Sequence, residues 1–235
     1  MTKASYHVTV HSIDVLTPTV KVFRLRFPPD ARFDFIAGQY VMVDLPRDAG
    51  VVQKAYSIAS PPTQQGTIDL CIKLVEGGYV STYFHQQVQV GTRLTIYEAQ
   101  GFFVDRGGDH ERLYVATGTG IAPIRSMVHA LYASGCNGKM SLYFGVRYED
   151  EILYEEEWRR LQAEHPTFRF HPTVSRPKTW QGDTGWVQDL LRKYLTDPTT
   201  KEAYVCGVVP MVKAVKPLLM ELGVPRGQIH TEKYT

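Results

Sequence analysis

A glycine-rich turn between a predicted strand and a predicted helix has residue types suited to binding a ligand. It reads Thr117-Gly118-Thr119-Gly120, and the helix that follows opens at Pro123. Glycine lets the backbone approach a ligand closely, and the N–H groups at a helix start favour a phosphate. The turn predicts a pyrophosphate site, although by itself it is equally compatible with an ordinary tight turn between strand and helix.

A cysteine at the end of another predicted strand is a second candidate. Cys206 closes a strand and is followed by Gly207. Such a position brings a small side chain to the carboxyl edge of a parallel sheet, where ligands bind in doubly wound folds. Taken alone, Cys206 is more readily explained as a small buried residue of the core than as a reactive thiol, and it is this position after a strand and before glycine that favours a cofactor contact.

The elements of the first hundred residues predict a small antiparallel β-barrel. Short β-rich runs with a period of two residues are separated by Pro, Gly and Asp. The predicted strands are Tyr6–Val10, Val20–Phe27, Tyr40–Leu45, Ala55–Ile58, Thr67–Leu74 and Arg93–Tyr97. A helix over Val80–Val88 interrupts this pattern.

The second half of the chain predicts a doubly wound α/β domain, because apolar strands alternate with longer helical patterns after a polar break at Asp105–Asp109. The predicted strands are Leu113–Ala116, Ser141–Phe144, Thr167–Val174 and Ala203–Cys206, and the predicted helices are Pro123–Ala133, Asp150–Glu164, Val187–Leu195 and Pro210–Leu222. The acidic run Glu149–Glu157 is expected to be the solvated start of a helix. We place the domains at residues 1–106 and 110–235.

Composition excludes several classes of protein. With 235 residues, 43% hydrophobic and 21% charged, the chain is typical of a globular protein. The balance of 26 basic and 24 acidic residues argues against binding nucleic acid or an anionic membrane. Three cysteines without a CxxC pair exclude a disulfide scaffold, a zinc ribbon and an internal iron-sulfur cluster, so we expect no bound metal and a reducing, cytoplasmic setting. The sequence has no signal peptide pattern and no 18-residue apolar run, which argues against secretion and membrane spanning.

A strand motif in the first domain leads to a family. The stretch Lys54-Ala55-Tyr56-Ser57 follows Phe35–Tyr40, and together with the glycine-rich turn it makes the chain resemble the ferredoxin–NADP reductase superfamily over nearly its whole length. The resemblance implies that FAD binds this strand. Tyr56 would lie against the isoalloxazine and Ser57 near flavin N5, while Lys54 stands where the family has an arginine on the pyrophosphate. A lysine supplies charge without the bidentate fork of arginine.

Further matches occur in the order that the family has them. They are Cys71-Ile72-Lys73 on a flavin-contacting strand, Val80-Ser81-Thr82 at the helix start for the flavin phosphates, Arg125-Ser126 after the nicotinamide-side turn, and Cys206-Gly207 followed by Met211. The cysteine would lie beside the reacting nicotinamide carbon. Gly101-Phe102-Phe103 matches the end of a glycine-rich stretch whose first two residues are replaced here by Glu98 and Ala99.

The C-terminal Glu232-Lys233-Tyr234-Thr235 resembles the Glu-x-aromatic ending of the family's nicotinamide domain. The resemblance implies that Glu232 and Tyr234 lie near the flavin. Ser57, Cys206 and Glu232 would then be the residues that position the rings and stabilise charge. No iron-sulfur domain follows, so we expect a stand-alone reductase whose electrons leave to a separate acceptor.

The choice of nicotinamide nucleotide stays open between NADPH and NADH, with a slight preference for NADPH or dual use. Arg147 stands where a dinucleotide fold normally carries a ribose-binding carboxylate. Ser175-Arg176 resembles a pair that holds the 2′-phosphate in the NADP-using branch, but the segment around Trp180, Gly182 and Gly185 resembles relatives that use NADH.

The sequence therefore predicts a flavoprotein in which FAD binds the barrel, NAD(P)H binds the α/β domain, and hydride passes between rings that meet at the domain cleft. The electrons would go singly to a ferredoxin or to an oxygenase component. Two alternatives remain: a reductase that uses free flavin as a substrate, and a non-catalytic electron-relay subunit. The acceptor, the direction of electron flow and the oligomeric state are not determined.

Overall fold

The computed structural model describes residues 4–47 and 50–234 of the chain. These residues form two compact units, each built on its own six-stranded sheet. The first unit contains the described residues up to Asp105 together with Arg125–Ser134. The second contains Arg106–Ile124 and the described residues from Gly135 onwards.

The first unit is the antiparallel sheet that the period-two pattern predicts. Its elements are β1 (Ser5–Thr17), β2 (Val20–Arg26), β3 (Tyr40–Arg47), β4 (Gly50–Ser57), β5 (Thr67–Lys73), α1 (Tyr79–Gln86) and β6 (Arg93–Tyr97). The strands are ordered β4-β3-β6-β1-β2-β5. The outer strands meet where Ile58 bridges Leu70, and Ala59 N donates to Asp69 O at 2.8 Å. The sheet is therefore barrel-like, as predicted.

Apolar residues that alternate along these strands form the core of the first unit. Phe23, Leu25, Val41 and Ile58 are fully buried, and α1 adds Phe84, whose ring lies 5.1 Å from that of Phe23. Burying such side chains is the main favourable term in folding.

Strand β1 is longer than its predicted length. Its pairing with β2 is irregular between Val10 and Ser12 and again between Val15 and Thr17. An irregularity of this kind puts polar and apolar residues out of alternation. The two-residue pattern consequently stops at Val10, although the strand continues to Thr17.

The second unit is a parallel sheet with helices, as the alternating pattern predicts. Its elements are β7 (Glu111–Thr117), the start of α2 (Ile121–Ala133), β8 (Met140–Val146), α3 (Glu155–Glu164), β9 (Phe168–Val174), β10 (Asp183–Thr184), α4 (Val187–Tyr194), β11 (Lys201–Val208), α5 (Val209–Glu221) and β12 (Ile229–Tyr234). From Arg125 onwards, α2 belongs to the first unit. All pairings are parallel, in the order β10-β9-β8-β7-β11-β12.

Helices cover both faces of β9. Trp158 of α3 stacks on Phe168 at 6.0 Å, and Tyr194 of α4 stacks on His171 at 4.8 Å. Because alternate residues of a strand face opposite sides, α3 and α4 lie on opposite faces. No helix in the described part of the chain is long and apolar enough to cross a membrane.

Strands β10 and β12 do not follow from the sequence pattern. Each is an outermost strand of the sheet, and β12 (IHTEKY) is mostly polar, whereas the central strands are apolar runs. An edge strand faces its neighbours on one side only, so it does not need the apolar composition of a central one.

The acidic run before α3 was wrongly assigned to a helix. Glu149–Glu151 form a separate 3₁₀ turn, Tyr154 has a left-handed backbone (φ 58°), and α3 starts only at Glu155. Glu149 binds a backbone N–H group of the loop after β9, and Glu151 binds those of Arg147 and Tyr148 just before it, so this part of the run is not a solvated helix start.

Candidate functional site

In the first unit, β4 presents the residues that the sequence assigns to the flavin. Lys54 and Ala55 are exposed, Tyr56 is half-buried and Ser57 is buried. The Tyr56 ring packs edge-on against Phe84, with centroids 5.4 Å apart and an interplanar angle of 77°. Burial raises the pKa of Tyr56 well above its usual value, so the phenol stays neutral. The strand thus offers an exposed cation next to a fixed, neutral aromatic ring.

The second flavin-assigned strand approaches β4 at its end. Cys71 and Ile72 of β5 are buried, while Lys73 is exposed. The bridge between Ile58 and Leu70 brings together the strand ends that carry Ser57 and Cys71. The structure therefore clusters these two segments although they are distant in sequence.

The start of α1 is shaped by a serine. Ser81 Oγ accepts a hydrogen bond from Val75 N at 3.0 Å, and it lies 3.1 Å from Gly78 O. A Cβ at Gly78 would lie only 2.9 Å from this hydroxyl oxygen, so the loop closes tightly over it. Ser81 holds the turn that begins the helix. The flanking predicted residues, Val80 and Thr82, are half-buried.

Two helix residues and an ion pair support the chain that follows Ser57. Arg125 Nη1 donates to Ala59 O at 2.9 Å, and Ser126 Oγ donates to Ser60 O at 2.7 Å. The Ser60 hydroxyl in turn accepts from Asp69 N at 3.0 Å. The side chain of Asp69, which is 3% exposed, is bound by Arg24 through two contacts of 2.7 and 2.9 Å. The sequence pattern gave no signal for Arg24 and Asp69, because isolated charges within strands are common.

In the second unit, the glycine-rich turn packs against the end of β11. Gly118 has φ +53°, and a Cβ there would meet nothing within 4 Å. A Cβ at Gly120 would lie 2.6 Å from Gly207 Cα, which leaves no room for a side chain. Thr119 is half-buried between these glycines, and Pro123 is buried in the first turn of α2. The turn is open on one side and closed on the other, as a phosphate cradle requires.

Gly207 forms the floor of the same corner. It has φ +151°, and a Cβ there would lie 2.8 Å from Met211 Cε and would overlap the hydroxyl oxygen of Thr117. That hydroxyl is buried, and it has no hydrogen-bond partner among the described residues. A buried polar atom without a partner is costly, so a ligand that reaches it would satisfy it.

Cys206, Glu232 and Tyr234 come together beside this corner. Cys206 is fully buried and pairs in register with Glu232 on β12 and Ala116 on β7. Burial, followed by the charge of Glu232, raises the pKa of the Cys206 thiol, and a hydrogen bond with the Tyr234 side chain opposes this only in part. The thiol is consequently neutral. Thr235, the last residue of the predicted C-terminal motif, lies outside the described residues.

Arg147, Ser175 and Arg176, which are predicted to select between NADPH and NADH, lie on two loops that we call the selector loops. Backbone hydrogen bonds join these loops. Ser175 N donates to Val146 O at 3.0 Å, and Arg176 N donates to Arg147 O at 2.7 Å. The side chains of Arg147 and Arg176 are both exposed, and within residues 4–47 and 50–234 neither guanidinium has an ion-pair or hydrogen-bond partner. Two exposed, unpaired guanidinium groups on loops that a backbone hydrogen bond joins suit an anion.

The residue types fit both groups that the two units suggest. In the first unit, the cation, neutral ring and helix start suit a flavin with phosphates. In the second, the close glycine turn and the unsatisfied Thr117 hydroxyl suit a dinucleotide.

Comparison with known proteins agrees with this division. The oxidoreductase FAD-binding domain family matches residues 7–104, and the oxidoreductase NAD-binding domain family matches residues 114–217. The domain limits 1–106 and 110–235 remain a prediction.

Two curated relatives cover the chain almost completely. Ferredoxin–NADP reductase B of Sorangium cellulosum (strain So ce56) is 37% identical in an alignment of 229 positions that covers 93% of each protein. The phenol hydroxylase P5 protein of Acinetobacter pittii (strain PHEA-2) is 34% identical over 97% of this chain, which spans 65% of that relative's length. Among solved structures, a ferredoxin NADP⁺ reductase from Neisseria gonorrhoeae with bound FAD and NADP has the same fold, with a TM-score of 0.85, 23% identity and 99% coverage of each chain.

An antiparallel FAD-binding unit followed by a parallel NAD-binding unit defines a class of flavin-dependent oxidoreductases. This chain belongs to the ferredoxin–NADP reductase superfamily, and its cofactors are FAD and a nicotinamide dinucleotide.

Proposed function

We propose that this protein oxidises NAD(P)H with its bound FAD and passes the electrons singly to a separate protein, such as a ferredoxin or the iron-sulfur component of an oxygenase. One observation carries the proposal: a single chain combines the exposed Lys54 and neutral Tyr56 of the first unit with the Gly120–Gly207 corner of the second. Relatives named as a ferredoxin–NADP reductase and as a reductase component of naphthalene dioxygenase systems support the kind of partner.

When bound, FAD accepts a hydride from the nicotinamide and can release electrons one at a time. The chain's own residues bind the two cofactors and orient their rings. Lys54 contributes charge for the flavin pyrophosphate, Tyr56 supports the ring, and Ser57 limits its position. Thr117 and Gly120 would hold the nucleotide, and the neutral, polarisable Cys206 thiol, buried beside this corner, would help to set the position of the nicotinamide. Glu232 supplies a negative charge beside that thiol.

Anaerobic stopped-flow reduction tests the proposal. The purified protein is mixed with NADH or NADPH, and the loss of flavin absorbance is followed before a ferredoxin is added. We expect saturable flavin reduction followed by one-electron reoxidation by ferredoxin. No flavin reduction by either nucleotide would reject the proposal and favour a non-catalytic relay subunit.

A second candidate is a reductase for free flavin. It is favoured by Lys54, which grips a pyrophosphate less firmly than the arginine of the family. Gel filtration separates the two functions, since a resident FAD should co-elute at about one per chain. Lys54→Arg should tighten FAD binding and Lys54→Ala should weaken it roughly tenfold to a hundredfold, the loss of a charge-assisted hydrogen bond. A fully FAD-free eluate would favour the free-flavin function, whereas an affinity unaffected by the Lys54 variants would remove Lys54 from the flavin site.

The proposed nucleotide is NADPH, with NADH as a slower donor. The unpaired guanidinium groups of Arg147 and Arg176 support this choice. Arg176→Ala should raise KM for NADPH by roughly tenfold and leave KM for NADH nearly unchanged. Equal effects on both nucleotides would mean that Arg176 binds a part that they share. All three cysteines are free, which is compatible with the proposed cytoplasmic location.

A further inference from the structure

The side chain of Glu149 joins the two selector loops through several hydrogen bonds that the sequence pattern does not predict. Its Oε1 accepts from Thr179 N at 2.6 Å and from Thr179 Oγ1 at 2.8 Å, and Lys178 N lies 3.2 Å from its Oε2. These partners follow β9, about thirty residues away in sequence, whereas Glu149 follows β8. One carboxylate therefore ties the two loops together.

Arg176 lies between two fixed points of its loop. On one side its own N–H is bound to Arg147 O at 2.7 Å. On the other side Glu149 fixes Lys178 and Thr179. The intervening Pro177 restricts the backbone further, because its ring fixes φ. The backbone at Arg176 thus has little freedom, while its exposed side chain stays unpaired within residues 4–47 and 50–234.

A second carboxylate fixes Arg147 in the same manner. Glu151 Oε2 accepts from Arg147 N at 3.1 Å and from Tyr148 N at 3.3 Å. Both acids thus bind main-chain donors, while the guanidinium groups of Arg147 and Arg176 form no ion pair within the described ranges. The acids order the loops, and the arginines remain available to an anion.

We propose that Glu149 is a positioning residue for dinucleotide selectivity, which holds the loop of Arg176 so that its guanidinium meets the 2′-phosphate of NADPH. This inference rests on the proposed function. Glu149 acts through the loop and does not touch the nucleotide. Hydrogen bonds from its own backbone, from Thr179 and from Lys178 hold the pKa of Glu149 at about 2, so the carboxylate is charged throughout the neutral range.

The negative charge of Glu149 would by itself have the opposite effect on the binding of a 2′-phosphate. A carboxylate near a phosphate repels it, so removing a passive Glu149 would strengthen 2′-phosphate binding. Asp150 provides the matched control, since it is exposed, carries the same charge one residue away and makes no hydrogen bond or ion pair within residues 4–47 and 50–234. The two variants lose the same charge, but only Glu149→Ala loses the bonds to the Arg176 loop.

Calorimetric binding of adenosine 2′,5′-bisphosphate and of 5′-AMP tests the proposal without depending on turnover. For Glu149→Ala we expect about a tenfold loss of bisphosphate affinity and less than a twofold change for 5′-AMP, because only the bisphosphate has the 2′-phosphate. Asp150→Ala should bind both probes as the wild type does or slightly better. Glu149→Gln, which keeps one acceptor oxygen, should recover part of the loss.

A double variant and a kinetic measurement complete the test. In an Arg176→Ala background, Glu149→Ala should cause little further loss, because the residue that it positions is gone. With NADH, Glu149→Ala should keep kcat and KM. If Glu149→Ala and Asp150→Ala both strengthen bisphosphate binding, or if wild type shows no preference for the bisphosphate, the proposal is overturned. Loss of flavin reduction by both nucleotides in wild type would instead reject the proposed function.

Discussion

At the scale of single residues, the surroundings of Cys206 decide which role this residue can have. A cysteine next to a cofactor can act as a thiolate nucleophile, but only where its pKa is lowered. Here burial and Glu232 raise the pKa of the Cys206 thiol. Its contribution is therefore its size, shape and polarisability at the end of β11.

Replacing Cys206 by serine should slow flavin reduction without weakening FAD binding. Serine is smaller than cysteine and forms stronger hydrogen bonds, so it would alter how the nicotinamide ring lies. A displacement of about 1 Å can cost roughly a hundredfold in rate. Stopped-flow traces at saturating nucleotide measure the limiting rate. Cys136→Ser, at a half-exposed cysteine in the loop after α2, is the matched control and should behave as wild type. A wild-type limiting rate in Cys206→Ser would assign this residue to the core alone.

Gly207→Ala should distort the corner of the dinucleotide site. Its φ of +151° disfavours alanine, and the new Cβ would lie 2.8 Å from Met211 Cε and overlap the Thr117 hydroxyl oxygen. Strain and overpacking each cost on the order of 1 to 3 kcal/mol. Urea unfolding and adenosine 2′,5′-bisphosphate binding should both weaken. In Gly227→Ala, where a Cβ meets nothing within 4 Å, neither should change. Identical behaviour of the two variants would argue against close packing at Gly207.

At the scale of elements, a three-ring stack joins the edge of the parallel sheet to α4. His171 on β9 lies between Tyr143 and Tyr194, with centroids 4.8 Å away on each side. Asp183 of β10 accepts a hydrogen bond from Tyr194 Oη at 2.9 Å. Burial lowers the pKa of His171, the charge of Arg169 acts in the same direction, and Asp183 opposes them. The stack is thus built around a neutral imidazole.

The second unit should lose stability in mild acid because of His171. The unfolded chain has a histidine pKa near 6.5, whereas the folded value is lower, so protons bind the unfolded state first as the pH falls. This contribution is present above about pH 6.5 and is lost as the pH falls through the folded pKa. His171→Phe keeps a ring in the stack and removes the proton site. Urea midpoints of the variant between pH 7.5 and 5 should depend less on pH than those of wild type, and equal slopes would contradict the assignment.

At the scale of the whole molecule, each unit has a hydrophobic cluster of its own, so a ligand that binds one unit is expected to stabilise mainly that unit. One core centres on Phe23, Leu25 and Ile58, and the other on Val115, Val205 and Val215. A ligand that binds only the folded form adds stability by mass action, about 2.7 kcal/mol at a hundred times its Kd.

FAD and adenosine 2′,5′-bisphosphate should therefore protect different parts of the chain from hydrogen exchange. FAD should slow exchange mainly in peptides of β4, β5 and α1, and the bisphosphate mainly in those of β8, β9 and the loops that follow them. Mass spectrometry of the apoprotein with each ligand measures this. Protection by FAD that is strongest in β8 and β9 would contradict the assignment of the flavin to the first unit.

Much of this protein could be predicted from sequence because its periodicities are strong. Strand β6 was predicted with its exact bounds, and the central strands of the second unit were found from their apolar runs. The polar edge strand β12 was missed as a strand. In the run Glu149–Glu157, the last three residues do begin α3, as predicted. The segment Glu149–Glu151 was misassigned because local sequence does not reveal that Lys178 and Thr179 lie beside Glu149.

The sequence by itself determined the class of fold, the order of the two units and the family, since these depend on periodicity and on motifs that are local in the chain. Only the tertiary structure decided what individual side chains do. The Cys206 thiol is neutral because burial raises its pKa, and β12 adds the charge of Glu232 beside it. The loop of Arg176 is fixed because the Glu149 carboxylate, on the loop after β8, binds the backbone of Thr179. Both effects arise between residues distant in sequence. Charge, burial and hydrogen bonding depend on such neighbours, and a linear pattern does not contain them.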